Sequence, residues 1–111
     1  MSFSPGDILL VPVRFSDGSG HKKRPVVVVY DSGDADLLVA PVTSQMARSP
    51  RDIPAVKWQH AGLRLPSIVR LEKLSTVEKS TVIKCMGKLA PDDWREMKAA
   101  LKDLFAEILV R

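Results

Sequence analysis

The alternation of apolar and polar positions divides the chain into a long segment of short strands and a C-terminal helix. Apolar, β-branched runs bounded by turn residues predict strands at 7–13, 25–30, 37–43, 53–57, 67–72 and 82–86. The run at 25–30 is continuously apolar, which is typical of a strand buried on both faces. Pro54 cannot donate to a sheet ladder, so we expect an edge strand around it.

The predicted helix begins at Pro91, where a proline in the first turn and the acids Asp92 and Asp93 suit the positive end of the helix dipole. Apolar side chains then recur at three- and four-residue spacing and predict one face that packs in the core: Trp94, Met97, Leu101, Leu104, Phe105 and Ile108. Many short strands followed by one helix predict a mainly β protein, a small and strongly curved antiparallel barrel capped by a C-terminal α-helix.

Length and composition narrow the class of protein. The 111 residues fit one domain over 1–111, and a core this small favours oligomerisation. No apolar run is long enough to span a membrane, and residues 1–6 do not resemble a signal peptide. Cys85 is the single cysteine, which fits a reducing compartment. We therefore expect a cytoplasmic protein without a membrane partner.

Positive charge is concentrated before the helix. The net charge is +4; residues 91–111 hold four Lys/Arg and five Asp/Glu, so residues 1–90 carry +5. The basic residues of this part include His21-Lys22-Lys23-Arg24, Arg48, Arg51, Arg64, Arg70 and Lys73. Such a distribution suits a polyanionic partner.

The motifs that the sequence lacks argue against a cofactor. It contains no Cys/His cluster at zinc spacing, no Gly-rich phosphate loop and no Gly-x-Ser-x-Gly motif. We therefore expect no metal and no other cofactor. Arg24 stands instead where a basic loop enters a strand, and Thr43 stands where a strand runs into a loop. Arg70 and Glu72 are expected on one face of the strand at 67–72, either as an ordinary surface ion pair or as part of a site.

These residue types allow RNA cleavage without a metal. In that reaction the ribose 2′-hydroxyl attacks the adjacent phosphorus and leaves a 2′,3′-cyclic phosphate and a 5′-hydroxyl. The site needs cationic donors for the phosphoryl oxygens, a base for the 2′-hydroxyl and an acid for the leaving oxygen. The side chains that could supply these groups are Arg24, Thr43, Arg70, Glu72 and His21.

Several blocks of the sequence resemble the MazF/PemK family of toxins. GDILLVPV at 6–13 and KKRPVVVV at 22–29 resemble the opening of the family. APVTS at 40–44 and PSIVR at 66–70 are similar to the next two blocks, and MGKL at 86–89 precedes the terminal helix. The blocks occur in family order over nearly the whole chain.

The resemblance implies an SH3-like barrel, a two-fold homodimer, and ribonuclease activity toward single-stranded RNA that a cognate antitoxin holds in check. It places catalytic roles on Arg24 and Thr43, and on Arg70 and Glu72, although the acid is aspartate in the members concerned. His21 is a candidate by analogy with a loop histidine, but the loop here is shorter. The side chains expected to bind RNA are Lys22, Lys23, Ser44, Gln45 and Ser67.

Two readings stay open at the level of sequence. The first is a sequence-selective endoribonuclease toxin. The second is a non-catalytic module on the same barrel, comparable to a related protein that poisons DNA gyrase by protein contact, because one fold hosts unrelated functions. His21 is likewise either a catalytic group or a solvated loop histidine that adds positive potential.

Overall fold

A computed structural model describes residues 2–14 and 20–110, with only the backbone for Arg14 and His21. The strands are β1 (Asp7–Arg14), β2 (His21–Tyr30), β3 (Asp36–Thr43), β4 (Asp52–Ala55), β5 (Ser67–Arg70), β6 (Ser75–Glu78) and β7 (Lys84–Lys88). Two 3₁₀ turns cover Leu71–Lys73 and Lys79–Thr81, and one helix, α1, covers Pro91–Leu109.

The strands form one curled antiparallel sheet in the order β4-β5-β3-β2-β1-β7, with β6 also paired to β3. β3 changes its partner along its length: residues from Asp36 to Val39 pair with β6, whereas Val42 and Thr43 pair with β5. The sheet therefore splits beside the end of β3 and curls into a half-barrel. This confirms the predicted small SH3-like antiparallel barrel with a C-terminal helix.

The core lies on both faces of the sheet. Val27 belongs to a cluster that includes Met97 and Leu101 of α1, whereas Val26 and Val28 belong to a second cluster on the opposite face. All three valines are buried, which confirms the prediction that β2 is covered on both sides. Burying a valine side chain fully contributes about 1.5–3 kcal/mol, so this strand is a main source of stability.

α1 begins at Pro91 as predicted, but only part of its apolar stripe reaches the core. Met97 and Leu101 are buried, whereas the side chains of Phe105 and Ile108 are 46% and 53% exposed. The prediction that the whole stripe packs in the core is therefore wrong, because only the part of the helix up to Leu101 contributes buried apolar side chains. Within residues 2–14 and 20–110, no helix combines the length and hydrophobicity needed to cross a bilayer.

β4 ends at Ala55 instead of residue 57, and β7 covers Lys84–Lys88 instead of 82–86. Three larger differences from the predicted strands concern β2, β5 and β6. β2 begins at His21 and not at residue 25, because the basic segment pairs with β1, Val11 opposite Arg24. β5 ends at Arg70, and the chain then enters a 3₁₀ turn. β6, which pairs with the first half of β3, was not predicted, because its four residues carry no apolar run. The first two differences change the candidate site.

Candidate functional site

A cavity of about 590 Å³ opens where the sheet splits, between β2, the end of β3, β5 and the loop that precedes β5. It is lined by Val13, Lys22, Arg24, Pro25, Val26, Pro41, Val42, Thr43, Ser44, Gln45, Leu63, Arg64, Leu65, Ser67, Arg70 and Met86. Four of these side chains are cationic, and none of the lining residues in the described part of the chain is a carboxylate. The cavity therefore attracts an anionic ligand.

The alternation of side chains along β2 decides which basic residues face the cavity. Lys22 and Arg24 lie two residues apart and both line it, whereas Lys23 between them does not. Both cavity residues pair with β1, opposite Val13 and Val11 respectively. The structure thus brings two of the three predicted basic residues of this segment into the site and leaves Lys23 outside the lining.

Thr43 ends β3 with a local hydrogen bond that bends the chain. Its Oγ1 accepts the backbone N–H of Gln45 at 3.1 Å, so the strand turns away directly after it. Because the hydroxyl oxygen accepts this bond, its own proton is available to a ligand. Ser44 and Gln45 follow at the cavity wall, and Ser67 lines it from the start of β5. These four predicted residues therefore come together.

Arg70 is held by a carboxylate that the sequence analysis did not single out. Its Nη1 donates to Asp52 Oδ2 at 3.1 Å across the β4–β5 pair, and the two side chains are 15% and 3% exposed. The same oxygen accepts the backbone N–H of Arg48 at 2.7 Å. Arg70 Nη2 is buried without a hydrogen-bond partner among the described residues. A buried donor without a partner costs about 1–3 kcal/mol, and the Arg70 side chain to which it belongs lines the cavity.

Glu72 does not lie beside Arg70 on a strand face. Because β5 ends at Arg70, Glu72 falls in the 3₁₀ turn, where it accepts a hydrogen bond from the Ser49 hydroxyl and lies 4.0 Å from Arg51 Nη1. Arg51 also forms an ion pair with Glu107 of α1. The prediction of a shared face is therefore wrong, and Glu72 joins the turn to the β3–β4 loop, which Arg51 in turn links to the helix.

The role of His21 is not tested by the structure, whereas Arg64 is an additional residue of the cavity. The backbone of His21 begins β2, but its side chain lies outside what the structure describes, so its catalytic role stays a prediction. Arg64 lines the cavity, although the sequence analysis counted it only as part of the basic excess. Arg64 lies within the loop 56–66, where no periodic pattern of apolar and polar residues could have assigned it to a site.

The loop 56–66, which carries Arg64, is anchored at two points. Asp93 is buried at the start of α1, and its carboxylate accepts the backbone N–H groups of Val56 at 3.1 Å and Lys57 at 2.9 Å. Gly62 has a φ of +84° and lies so close to the backbone carbonyl of Met86 that a Cβ would overlap it. Both contacts hold this wall of the cavity in place.

Comparison with known proteins identifies the family. PemK-like, MazF-like toxins of type II toxin-antitoxin systems match residues 4–105. The chain belongs to this family. The match confirms the resemblance that the sequence blocks indicated. A comparison with curated protein sequences found no matching relative.

Solved structures of low sequence identity share the fold. An endoribonuclease from a mycobacterial species is 14% identical, with a TM-score of 0.75 over 96% of this chain and 93% of the other. A MazE-MazF structure from Deinococcus radiodurans is 18% identical, with a TM-score of 0.74 over 96% and 97% of the two chains. A mycobacterial endoribonuclease in complex with its cognate antitoxin is 14% identical, with a TM-score of 0.72 over 95% and 96%. At these identities the likeness establishes the fold.

Proposed function

We propose that this toxin is an endoribonuclease that binds single-stranded RNA in the cationic cavity and cleaves its backbone. The observation that carries the proposal is the convergence of Arg24, Thr43 and Arg70 on one cavity, with Arg70 Nη2 left without a partner among the described residues. The mycobacterial proteins of the same fold are named endoribonucleases, which supports the reaction class.

The proposed reaction begins with attack of a ribose 2′-hydroxyl on the adjacent phosphorus. The new P–O2′ bond forms as the P–O5′ bond breaks, and the products are a 2′,3′-cyclic phosphate and a 5′-hydroxyl. One proton leaves the 2′-oxygen and one reaches the 5′-oxygen, so the step is balanced without a co-reactant. Negative charge grows on the non-bridging oxygens, where cationic donors in a confined site stabilise it most.

Five of the cavity residues have a proposed role in binding the RNA backbone. Arg24 and Arg70 donate to the non-bridging oxygens, and the Thr43 hydroxyl donates a third hydrogen bond. Lys22 and Arg64 bind the neighbouring phosphates. We assign no proton transfer to Glu72, because its carboxylate contacts Ser49 and Arg51 and does not line the cavity. His21 is the proposed candidate for the base.

The test uses two neighbouring lysines as a matched pair. The purified protein is incubated with a long single-stranded RNA in EDTA, and the same reaction is run with Arg24→Ala, Lys22→Ala and Lys23→Ala. We expect discrete cuts with cyclic-phosphate ends that survive EDTA. Loss of one transition-state donor costs about 10²–10³ in rate, so Arg24→Ala should nearly abolish cleavage. Lys22→Ala should be impaired more than Lys23→Ala, which loses the same charge outside the cavity.

The opposite result supports the binding-module reading. Intact RNA with the folded, antitoxin-free protein, together with salt-dependent binding, would indicate a nucleic-acid-binding module without cleavage. Cleavage that disappears in EDTA would contradict the metal-independent mechanism. Cuts at unrelated sequences would contradict sequence selectivity.

We also propose that a cognate antitoxin inhibits the toxin by placing an acidic, initially disordered segment in the cavity. The lining offers Lys22, Arg24, Arg64 and Arg70 and no carboxylate among the described residues, which is the charge complement of such a segment. Truncating the acidic segment of the antitoxin should release ribonuclease activity. Full protection by the truncated antitoxin would contradict this proposal.

A homodimer is the proposed assembly. The C-terminal turns of α1 expose Phe105, Ile108, Leu109 and Val110, an apolar surface that a second copy would cover. Light scattering at micromolar concentration should give twice the mass of the 12.3 kDa chain. Ile108→Lys should lower that mass toward a monomer if this surface is the contact.

A further inference from the structure

A second cavity, of about 370 Å³, adjoins the cationic one. Ser44, Gln45 and Ser67 line both cavities, so the two cavities share a polar rim. Beyond this rim the walls are mostly apolar and include Trp58 and Ile68. No lining residue in the described part of the chain is charged. This second cavity therefore differs in chemistry from the first and suits a neutral, flat group with polar edges.

Trp58 is held in place before any ligand arrives. Its side chain is half-buried and packs against the main core cluster while it also lines the second cavity. Its backbone carbonyl accepts the N–H of Leu63 at 3.0 Å. The two preceding residues, Val56 and Lys57, donate their backbone N–H groups to the Asp93 carboxylate. An aromatic side chain fixed in this way binds a planar group with little loss of entropy.

The rim supplies hydrogen-bonding groups beside the apolar wall. The Ser67 hydroxyl donates to the carbonyl of Leu65 at 2.7 Å, which leaves its oxygen as an acceptor. The Gln45 side-chain oxygen lies 3.5 Å from Arg48 Nη2, which leaves its amide NH₂ as a donor. An acceptor and a donor at the edge of an aromatic-walled cavity are the groups that read the edge of a nucleobase.

We propose that the second cavity is a nucleobase-binding subsite that determines where the RNA is cut. The inference rests on the proposed endoribonuclease function, because its occupant is a base of the strand whose phosphate lies in the cationic cavity. The shared rim of the two cavities, the uncharged lining and the available volume favour a base over an acidic side chain, which would find no cation there. Single-stranded RNA offers unstacked bases that stack on aromatic side chains.

The test compares two probes of equal length and backbone charge. One is a mixed-sequence 12-nucleotide DNA with uracil in place of thymine, which has no 2′-hydroxyl and cannot be cleaved by 2′-hydroxyl attack, and the other is the same backbone with a hydrogen in place of every base. Stacking contributes about 1–3 kcal/mol per base, so we expect the base-containing probe to bind about 5- to 150-fold more tightly. Trp58→Leu should remove most of this difference while it retains affinity for the abasic backbone.

Tryptophan fluorescence gives a second readout, which reports contact between the probe and Trp58 and not the affinity ratio. The chain contains Trp58 and Trp94 only, so Trp94→Phe leaves Trp58 as the sole indole. The base-containing probe should quench its emission, and the abasic probe should not. Trp94→Leu is the matched control, because Trp94 lines neither cavity, and it should keep the affinity ratio of the unchanged protein.

The outcomes distinguish failure of the proposed base subsite from failure of the proposed endoribonuclease function. Equal affinity for the two probes, or a Trp58→Leu variant that is folded and keeps the full ratio, would overturn the subsite while RNA cleavage stands. Failure to bind either probe and to cut RNA would overturn the proposed function and the subsite with it. Quenching of Trp58 by the antitoxin but not by the base-containing probe would assign the cavity to the protein partner and overturn the proposal.

Discussion

Replacing Asp52 with alanine would leave the Arg70 guanidinium buried without its carboxylate. The two residues are cross-strand neighbours in β4 and β5, and their side chains are 3% and 15% exposed. The change also removes the acceptor of the Arg48 backbone N–H. Of the residues involved, Arg70 lines the cationic cavity, so the effect on stability is also a measure of how firmly this cavity residue is held.

The expected cost follows from this burial. Removing one member of a buried ion pair typically costs about 3–5 kcal/mol, because the remaining charge is left unpaired. Arg70 borders an open cavity and can recover some hydration there, so we expect the lower end, about 3 kcal/mol. Asp52→Ala combined with Arg70→Met removes the unpaired charge as well, so the double variant should be more stable than Asp52→Ala alone.

Urea unfolding followed by circular dichroism measures this effect. For a small protein the slope is about 1–3 kcal/mol per molar urea, so a loss of about 3 kcal/mol lowers the midpoint by about 1–3 M. All variants are compared at one protein concentration, because oligomerisation makes the midpoint concentration-dependent. Glu96→Ala, which loses an exposed carboxylate of α1, is the control and should change the midpoint little.

Two results would refute the reasoning. The first is an Asp52→Ala midpoint equal to that of the Glu96→Ala control, which would mean that the pair contributes nothing in solution. The second is a double variant less stable than Asp52→Ala alone, which would mean that the Arg70 side chain contributes mainly by packing and not as a charge that needs Asp52.

Three further changes test individual contacts that stabilise the fold. Asp93→Ala removes the acceptor of two backbone N–H groups and should lower the free energy of unfolding by about 1–3 kcal/mol. Amide hydrogen exchange in residues 56–66 should become faster, and an unchanged exchange rate would contradict the anchoring role. Gly62→Ala should cost more than Gly33→Ala, since both have positive φ but only the first Cβ would overlap backbone; equal thermal midpoints would contradict this. The hydrogen bond from Lys79 lowers the pKa of Asp31 in the folded protein. The pair therefore stabilises the folded state at pH values above the pKa of Asp31 in the unfolded chain, and this stabilisation is lost as the pH falls through the pKa of Asp31 in the folded protein. In Asp31→Asn the free energy of unfolding should therefore fall less steeply as the pH is lowered below about 4. A pH dependence equal to that of the unchanged protein would contradict the pairing.

Local pattern was sufficient for the elements whose signal is continuous along the chain. The valine run of β2 predicted a strand buried on both faces because no polar side chain interrupts it, and the first turn of α1 carries both its proline and its acids. The position of Thr43 at a strand end was likewise readable, since an apolar run stops there. The sequence blocks also indicated the family, which the match over 4–105 confirms.

The composition of the cavity was decided by tertiary structure. Whether Lys22 or Lys23 faces the site depends on the register of β2 against β1, and the length of β5 decides that Glu72 leaves the face of Arg70. The partner of Arg70 is Asp52, which lies on another strand and has no local signal.

The sequence by itself therefore determined the kinds of element, the family and the basic residues available for an anionic ligand. Only the folded chain decided which of those residues meet, and that Arg64 and Trp58 join them from the loop 56–66. The physical reason is that a strand or a helix is favoured by neighbours a few positions apart, whereas a site is made by contacts between segments distant in sequence. Those contacts depend on where each strand ends and on how the sheet splits at β3.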